Sequence, residues 1–248
     1  MSTAAIRPAA VAGRFYSGQR QALRAEVGEL LAAAPVQPGR PGNRLAKILI
    51  VPHAGYVYSG PVAASAYALL AQAGERIRRV VLLGPTHRVA VSGLAVPTVA
   101  AFETPLGRVA IDREAIALID DLPQVIADDR AHADEHALEV QLPFLQTVLG
   151  TFELLPLAVG RVSATSVAEV LERLWGGDET LIVISTDLSH YLNYRSAQAT
   201  DRETVDAILR LDPNLDHDQA CGATPLAGAL LAARTHGLVA RLLDLRNS

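Results

Sequence analysis

The sequence predicts an α/β fold with a mixed, mostly parallel central sheet flanked by helices on both faces. Two observations carry this prediction. Short apolar, β-rich runs alternate with helical stretches along most of the chain, the pattern of strands joined by crossover helices. Two weaker strand signals in the middle of the chain flank a tight turn, which asks for an antiparallel edge and makes the sheet mixed. At 248 residues the chain suits one domain spanning 1–248. Residues 1–43 read as an N-terminal helix and a Pro/Gly-rich linker packed on that domain, because about 40 residues rarely stand alone.

The elements are expected in the following order. An amphipathic helix covers about Gln19 to Ala34, and Pro35 to Asn43, with three prolines and two glycines, is the linker. Lys47 to Val51 is a buried-type strand, followed by a helix opening near Pro61, a residue favoured in a first turn. Arg79 to Leu83 is a second strand. Leu94 to Pro97 and Val109 to Ile111 are short strands joined by the turn Thr104-Pro105-Leu106-Gly107. Glu135 to Leu149 is a helix kinked or interrupted at Pro143. Glu153 to Val159 is a strand, Ser163 to Trp175 a helix, and Leu181 to Ser185 the clearest strand in the chain. Helices over about Ala197 to Leu211 and Gly222 to Thr235 follow, and Val239 to Leu243 closes as a strand.

Composition excludes several function classes. Lys plus Arg number 22 against 26 Asp plus Glu, a formal charge of −4, so the chain carries no electrostatic footprint for nucleic acid or an anionic membrane. No apolar run reaches the roughly 18 residues of a membrane helix and no secretory h-region opens the chain, so the expected location is the cytoplasm. With 50% apolar but only 4% aromatic residues, the core must be Ala, Leu, Val and Ile. The single cysteine, Cys221, rules out an intramolecular disulfide, in keeping with a reducing compartment.

The histidines are the main pointer to chemistry. His53 follows the strand ending at Val51, His87 the strand ending at Leu83, and His190 the strand ending at Ser185. Each sits on the loop leaving the C-terminal end of a strand, and in an open α/β sheet ligands bind in the crevice outside those ends. Topology alone therefore delivers three sequence-distant imidazoles to one edge. A single loop histidine is more often an ordinary surface residue, but three of seven in short Gly/Pro/Ser-punctuated loops favour a site. Cys221 precedes a helix start, where free N–H groups and the macrodipole favour thiolate. A buried structural cysteine remains an equal alternative.

A competing motif is His132-Ala133-Asp134-Glu135-His136, which fits the H-x-x-E-H pattern of inverzincin metallopeptidases. On one helix, His132 and His136 would lie a turn apart on one face, as zinc requires. The acids read equally well as first-turn residues of a helix, and five-residue patterns arise easily by chance.

With these residues in view, the chain resembles the Memo family, including the AmmeMemoRadiSam system protein B type, and through it the catalytic subunit of class III extradiol ring-cleavage dioxygenases. The segments that carry the resemblance are Ala10–Tyr16 (AVAGRFY), Val51–Gly60 (VPHAGYVYSG), Leu83–His87 (LGPTH), Glu135–Phe144 (EHALEVQLPF), Ser185–Tyr191 (STDLSHY) and Ala220–Gly222 (ACG). They span almost the whole chain, and the ten-residue segment around His53 is specific. The resemblance implies an extradiol-dioxygenase-like fold and one divalent metal ion held by His53, His87 and Cys221, where the dioxygenases place a carboxylate in the cysteine's position. It implies an acid/base role for His190, which Asp187 on the same loop is expected to orient. It places Tyr56, Tyr58, Glu135 and His136 along the substrate pocket. The family as a rule carries no histidine at the position of His132, which counts against the peptidase motif. Family members usually run on past the equivalent of Asn247-Ser248 into a short turn and a closing strand, so the sheet is expected to lack an edge strand.

Two imidazoles and a thiolate suit iron(II) first, with zinc or copper as alternatives, and leave a position open for an exogenous group. The expected function is a non-haem, O2-dependent, dioxygenase-like oxidoreductase acting on a small, phenolic molecule. The alternative is a non-catalytic module that uses the same crevice for a peptide or a metal.

Overall fold

The computed structural model describes residues 5–35, 45–71 and 76–247. The expected linker at Pro35–Asn43 lies, beyond Pro35, outside the described residues. The strands are β1 (Ile6–Arg7), β2 (Ile48–Val51), β3 (Arg79–Pro85), β4 (Leu94–Val96), β5 (Ala101–Thr104), β6 (Gly107–Ile111), β7 (Val125–Ala127), β8 (Glu153–Val159) and β9 (Thr180–Ser185). The helices are α1 (Arg20–Ala33), α2 (Tyr56–Tyr67), α3 (Arg113–Ala117), α4 (Arg130–Ala133), α5 (His136–Glu139), α6 (Leu142–Leu149), α7 (Ala164–Arg173), α8 (Tyr194–Leu209) and α9 (Ala223–Thr235).

The sheet is mixed and mostly parallel, as the alternating sequence pattern requires. Its order is β1-β5-β6-β8-β3-β9-β2, with β4 branching off β8 and pairing β7. Among the described residues only β5/β6 and β4/β8 are antiparallel. The central strands β3, β8 and β9 are almost entirely buried, which explains their unbroken Val/Leu/Ile runs. Apolar helices cover them: α7 and α9 pack together, with Val167, Leu171, Leu226 and Leu230 in one core cluster. Leu23 and Val27 of α1 are fully buried in a second cluster with Phe144 of α6, each contributing about 1.5–3 kcal/mol by burial.

Several expected elements are redrawn. The turn at Thr104–Gly107 joins β5 to β6, so the antiparallel hairpin partner of Val109–Ile111 is Ala101–Thr104; Leu94–Val96 pairs elsewhere, with β7 and β8. The helix expected over Glu135–Leu149 is broken before Pro143, between α5 and α6, and Pro143 sits in the first turn of α6, where its missing N–H costs nothing. Val239–Leu243 forms no strand. The Leu238 N–H closes α9 on Ala233 O, after which the chain runs on irregularly with Val239 88% exposed. An apolar sequence favours a strand only where a partner ladder exists, and none is formed here among the described residues.

A cavity of about 740 Å³ lies between β2, the last strand of the order, helices α8 and α9, and the C-terminal segment. Ile48, Ile50, Val62, Leu69, Ile208 and Leu230 give it apolar walls. No helix among the described residues is long and apolar enough to cross a membrane.

Candidate metal centre

Three parallel neighbours, β3, β9 and β2, build one side of the site. Val51 pairs with Ser185 and Leu83 with Ile184, so the three strands end at nearly the same level. The loops leaving them carry His53, His87 and Asp187 to a common edge. Cys221 is brought there from α9 by its backbone N–H, which donates to Asp187 O (3.2 Å). Gly222, the residue before α9, makes this approach possible: a Cβ there would meet Thr186 Cβ at 2.7 Å and Ser185 O at 3.0 Å.

The break between α4 and α5 supplies the opposite wall. Glu135 caps α5, accepting from Ala137 N (2.9 Å), and its carboxylate also receives the His87 backbone N–H (2.6 Å) and ring Nδ1 (2.9 Å). Gly84 on β3 lets α5 come close, since a Cβ there would lie 3.0 Å from Leu138 and 3.3 Å from Ala137. The consequence is that His136 joins the histidines from β2 and β3. Its ring lies 5.4 Å from that of His53 and 4.7 Å from that of His87, centroid to centroid.

His53, His87 and His136 each offer one ring nitrogen, and these atoms all lie within 4.8 Å of one another, a spacing that fits a shared metal ion. Cys221 Sγ stands 3.3 Å from His53 Nε2. The sequence had placed His136 along the pocket; the structure adds it to the candidate donors. Its Nδ1 is buried without a hydrogen bond, although 3.3 Å from Glu135 Oε1, an orphaned polar atom of the kind a metal site accounts for.

The electrostatics divide the members of the cluster. Burial pushes the Cys221 thiol up, but hydrogen bonds from His53 and His87 outweigh it and lower its pKa to about 5. The bonds to Cys221 and then Glu135 raise His87 to about 10. Burial raises Glu135, yet the side-chain and backbone hydrogen bonds of His87 bring it down to about 2. His136 goes the other way, to about 4, because burial disfavours its charge and Glu135 compensates only in part. Cys221 and His136 are thus available as thiolate and neutral imidazole, whereas His87 holds a proton that a bound ion would have to displace.

Of the remaining expected residues, only Asp187 touches this cluster. Asp187 turns to His53, accepting its backbone N–H at 2.7 Å. His190 is exposed beside Tyr191, with which its ring pairs at 5.9 Å. Asp187, His190 and Tyr58 line the large cavity, whereas the three clustered histidines and Cys221 do not. Tyr56 is buried, its hydroxyl donating to Val140 O (2.7 Å). The peptidase pairing fails. Asp134 ends α4 and Glu135 starts a new helix, so His132 and His136 share no helical face. His132 points into the core, with Nε2 on Ala95 O (3.0 Å) and its ring edge-on to Phe102.

Sequence reasoning missed how the 132–139 segment is held. The buried Arg7 guanidinium pairs with Glu139 and donates to the carbonyls of His132 and Glu135, each at 2.8 Å. Glu139 also accepts from Tyr16 OH and from the N–H groups of Ala10 and Val11. A lone arginine in a short N-terminal strand carries no periodic signal that could have revealed it.

A family profile described as "Memo-like protein" matches residues 7–248. The chain belongs to the Memo family. Archaeal and bacterial relatives, each named "MEMO1 family protein", show the same extent. One from Ignicoccus hospitalis is 39% identical over 223 residues, covering 84% of this chain and 77% of the relative. Those from Methanopyrus kandleri and Aquifex aeolicus are 36% and 35% identical, covering 93% and 94% of this chain and 88% of each relative. The Memo match thus includes β2, β3, α5 and the turn before α9, which deliver the candidate donors.

Proposed function

We propose that this Memo-family protein is a metal-dependent, O2-using oxidoreductase of the non-haem type, with His53, His87, His136 and Cys221 as the available donors and iron(II) as the favoured ion. The observation that carries the reading is the convergence of three imidazoles and a thiol at the C-terminal edge of the sheet, one imidazole having a buried nitrogen without a hydrogen bond. Imidazole and thiolate suit iron(II), zinc and copper, and a mononuclear site leaves a position for an exogenous ligand. Iron(II) held there supplies the one-electron redox chemistry that lets O2 react with a closed-shell organic molecule. The protein's own residues then have separate tasks. Glu135 orients His87, Asp187 fixes the His53 backbone, and His190, exposed on the loop after β9, is the proposed acid/base toward a bound small phenolic substrate.

The test has two parts. Elemental analysis of protein purified without a metal-affinity tag is expected to show about one metal per chain. O2 consumption by the iron(II)-loaded protein is then followed with a panel of catechols and other phenols. Metal at stoichiometry without O2 uptake favours a second reading, a non-catalytic binding module. The exposed side chains of Val57, Tyr58, Tyr191, Leu192 and Tyr194 support that alternative, because they offer an apolar surface suited to a peptide.

A further inference from the structure

We propose that Ser185, backed by Gln141 and Tyr67, locks His53 in the tautomer that keeps its proton on Nδ1 and presents Nε2 as a lone pair toward the donor cluster; this rests on the metal-site reading above. Counting donors and acceptors around one hydroxyl gives the result. Ser185 Oγ has a single proton and three neighbours: Ala137 O at 2.6 Å, Gln141 Nε2 at 2.8 Å and His53 Nδ1 at 3.0 Å. A carbonyl only accepts, so the contact with Ala137 O takes the Ser185 proton. Ala137 O is open to it because the break between α5 and α6 turns the Gln141 N–H toward Leu138 O instead.

Gln141 is fixed in the same way. Its amide nitrogen lies 2.9 Å from Pro52 O, another acceptor, so the NH2 end must face Pro52 and Ser185. Its oxygen correspondingly accepts from Tyr67 OH at 2.9 Å. Gln141 therefore donates to Ser185 Oγ and occupies one of its lone pairs. What remains on Ser185 is one lone pair, which only a proton on His53 Nδ1 can satisfy. Neutral His53 then carries its free lone pair on Nε2, whereas the Nε2–H that bonds Cys221 Sγ at 3.3 Å belongs to the protonated ring. With His53 only 1% exposed, no water competes for Nδ1. Ser185 is a positioning residue: it touches no ligand and acts through the imidazole.

The experiment is long-range 1H–15N NMR of 15N-histidine-labelled protein, with zinc as the diamagnetic probe ion and binding followed by competitive chelator titration. In the zinc-loaded wild type, His53 is expected to keep its N–H on Nδ1. In metal-free Cys221→Ser at pH 8.5, where the thiolate partner is gone, His53 is expected as the pure Nδ1–H tautomer. Ser185→Ala is expected to introduce the Nε2–H tautomer and to weaken zinc binding about 10–100-fold. Gln141→Met provides a second variant that leaves Ser185 in place, with a smaller shift in the same direction. A Nε2–H tautomer in metal-free Cys221→Ser, or Ser185→Ala with an unchanged tautomer and zinc affinity within twofold of wild type, overturns the lock. Wild type that binds no zinc or iron(II) while His53 stays Nδ1–H overturns the metal reading and supports the lock, so the two failures are distinguishable.

Discussion

Replacing Arg7 by methionine tests how the wall that carries Glu135 and His136 is held. Arg7 is 4% exposed and Glu139 fully buried, so the substitution leaves a carboxylate in the core facing no cation. Breaking a buried ion pair from one side typically costs about 3–5 kcal/mol. The carbonyls of His132 and Glu135 lose their donor as well, which places the cost in the upper part of that range, about 4–5 kcal/mol. The retained bonds from Tyr16 OH, Ala10 N and Val11 N keep it from rising further. For a domain of this size about 4 kcal/mol corresponds to a Tm lower by about 8–16 °C. The assay is urea denaturation of wild type, Arg7→Met, Glu139→Gln and the double variant. The double variant should recover at least about 1 kcal/mol relative to the sum of the single changes, because the carboxylate is no longer stranded. A loss below about 1 kcal/mol in Arg7→Met, with strictly additive single changes, would refute the reasoning.

Further expectations concern the site and its surroundings. His53→Ala, His87→Ala and His136→Ala should each weaken metal binding by more than about 100-fold, the upper end of what a supporting residue costs, whereas His132→Ala should leave it unchanged; chelator titration decides. His190→Ala should retain the metal and lower turnover about 10²–10⁴-fold, and loss of metal would make it a ligand instead. Gly222→Ala should destabilise by about 1–3 kcal/mol in urea and lower metal affinity, since the new methyl drives the Cys221 turn off Thr186 and Ser185. His132, lowered to about 4 by burial, gives a pH signature. The unfolded chain protonates it near pH 6.5 and the folded protein only near 4, so its contribution is complete above 6.5 and is lost as pH falls toward 4. Between pH 7 and 4.5 wild type should lose about 2–3 kcal/mol more than His132→Gln, and parallel pH profiles would exclude this role.

How much of this the sequence disclosed depends on what each feature needs. Strands β3, β8 and β9 are buried on both faces, so their unbroken apolar runs announce them, and with them the edge that carries His53 and His87. Cys221 was placed correctly just ahead of a helix. β1, β5 and β7 are short and take their existence from a neighbour's ladder, which no local pattern encodes. The apolar character of Val239–Leu243 failed for the complementary reason. His136 reads from the sequence as a donor only in the wrong pairing, with His132 on one helix. The interruption at Asp134–Glu135, which turns His132 inward and His136 toward the site, depends on Glu135 finding His87 across the fold.

The donors' spacing along the chain also says when the site comes into being. His53 and Cys221 are 168 residues apart, and His87 and Glu135 are 48 apart. Closing loops of that length is an entropic cost met only after strand pairing has already brought the ends together. Loop closure over these separations favours late formation of the cluster, so an ion bound there is not expected to serve as a nucleus. Such an ion would act as a clasp on a finished domain, adding about 2.7 kcal/mol at a free concentration one hundred times its dissociation constant and slowing unfolding more than it speeds folding. Chelation should accordingly leave a folded chain that can be reloaded.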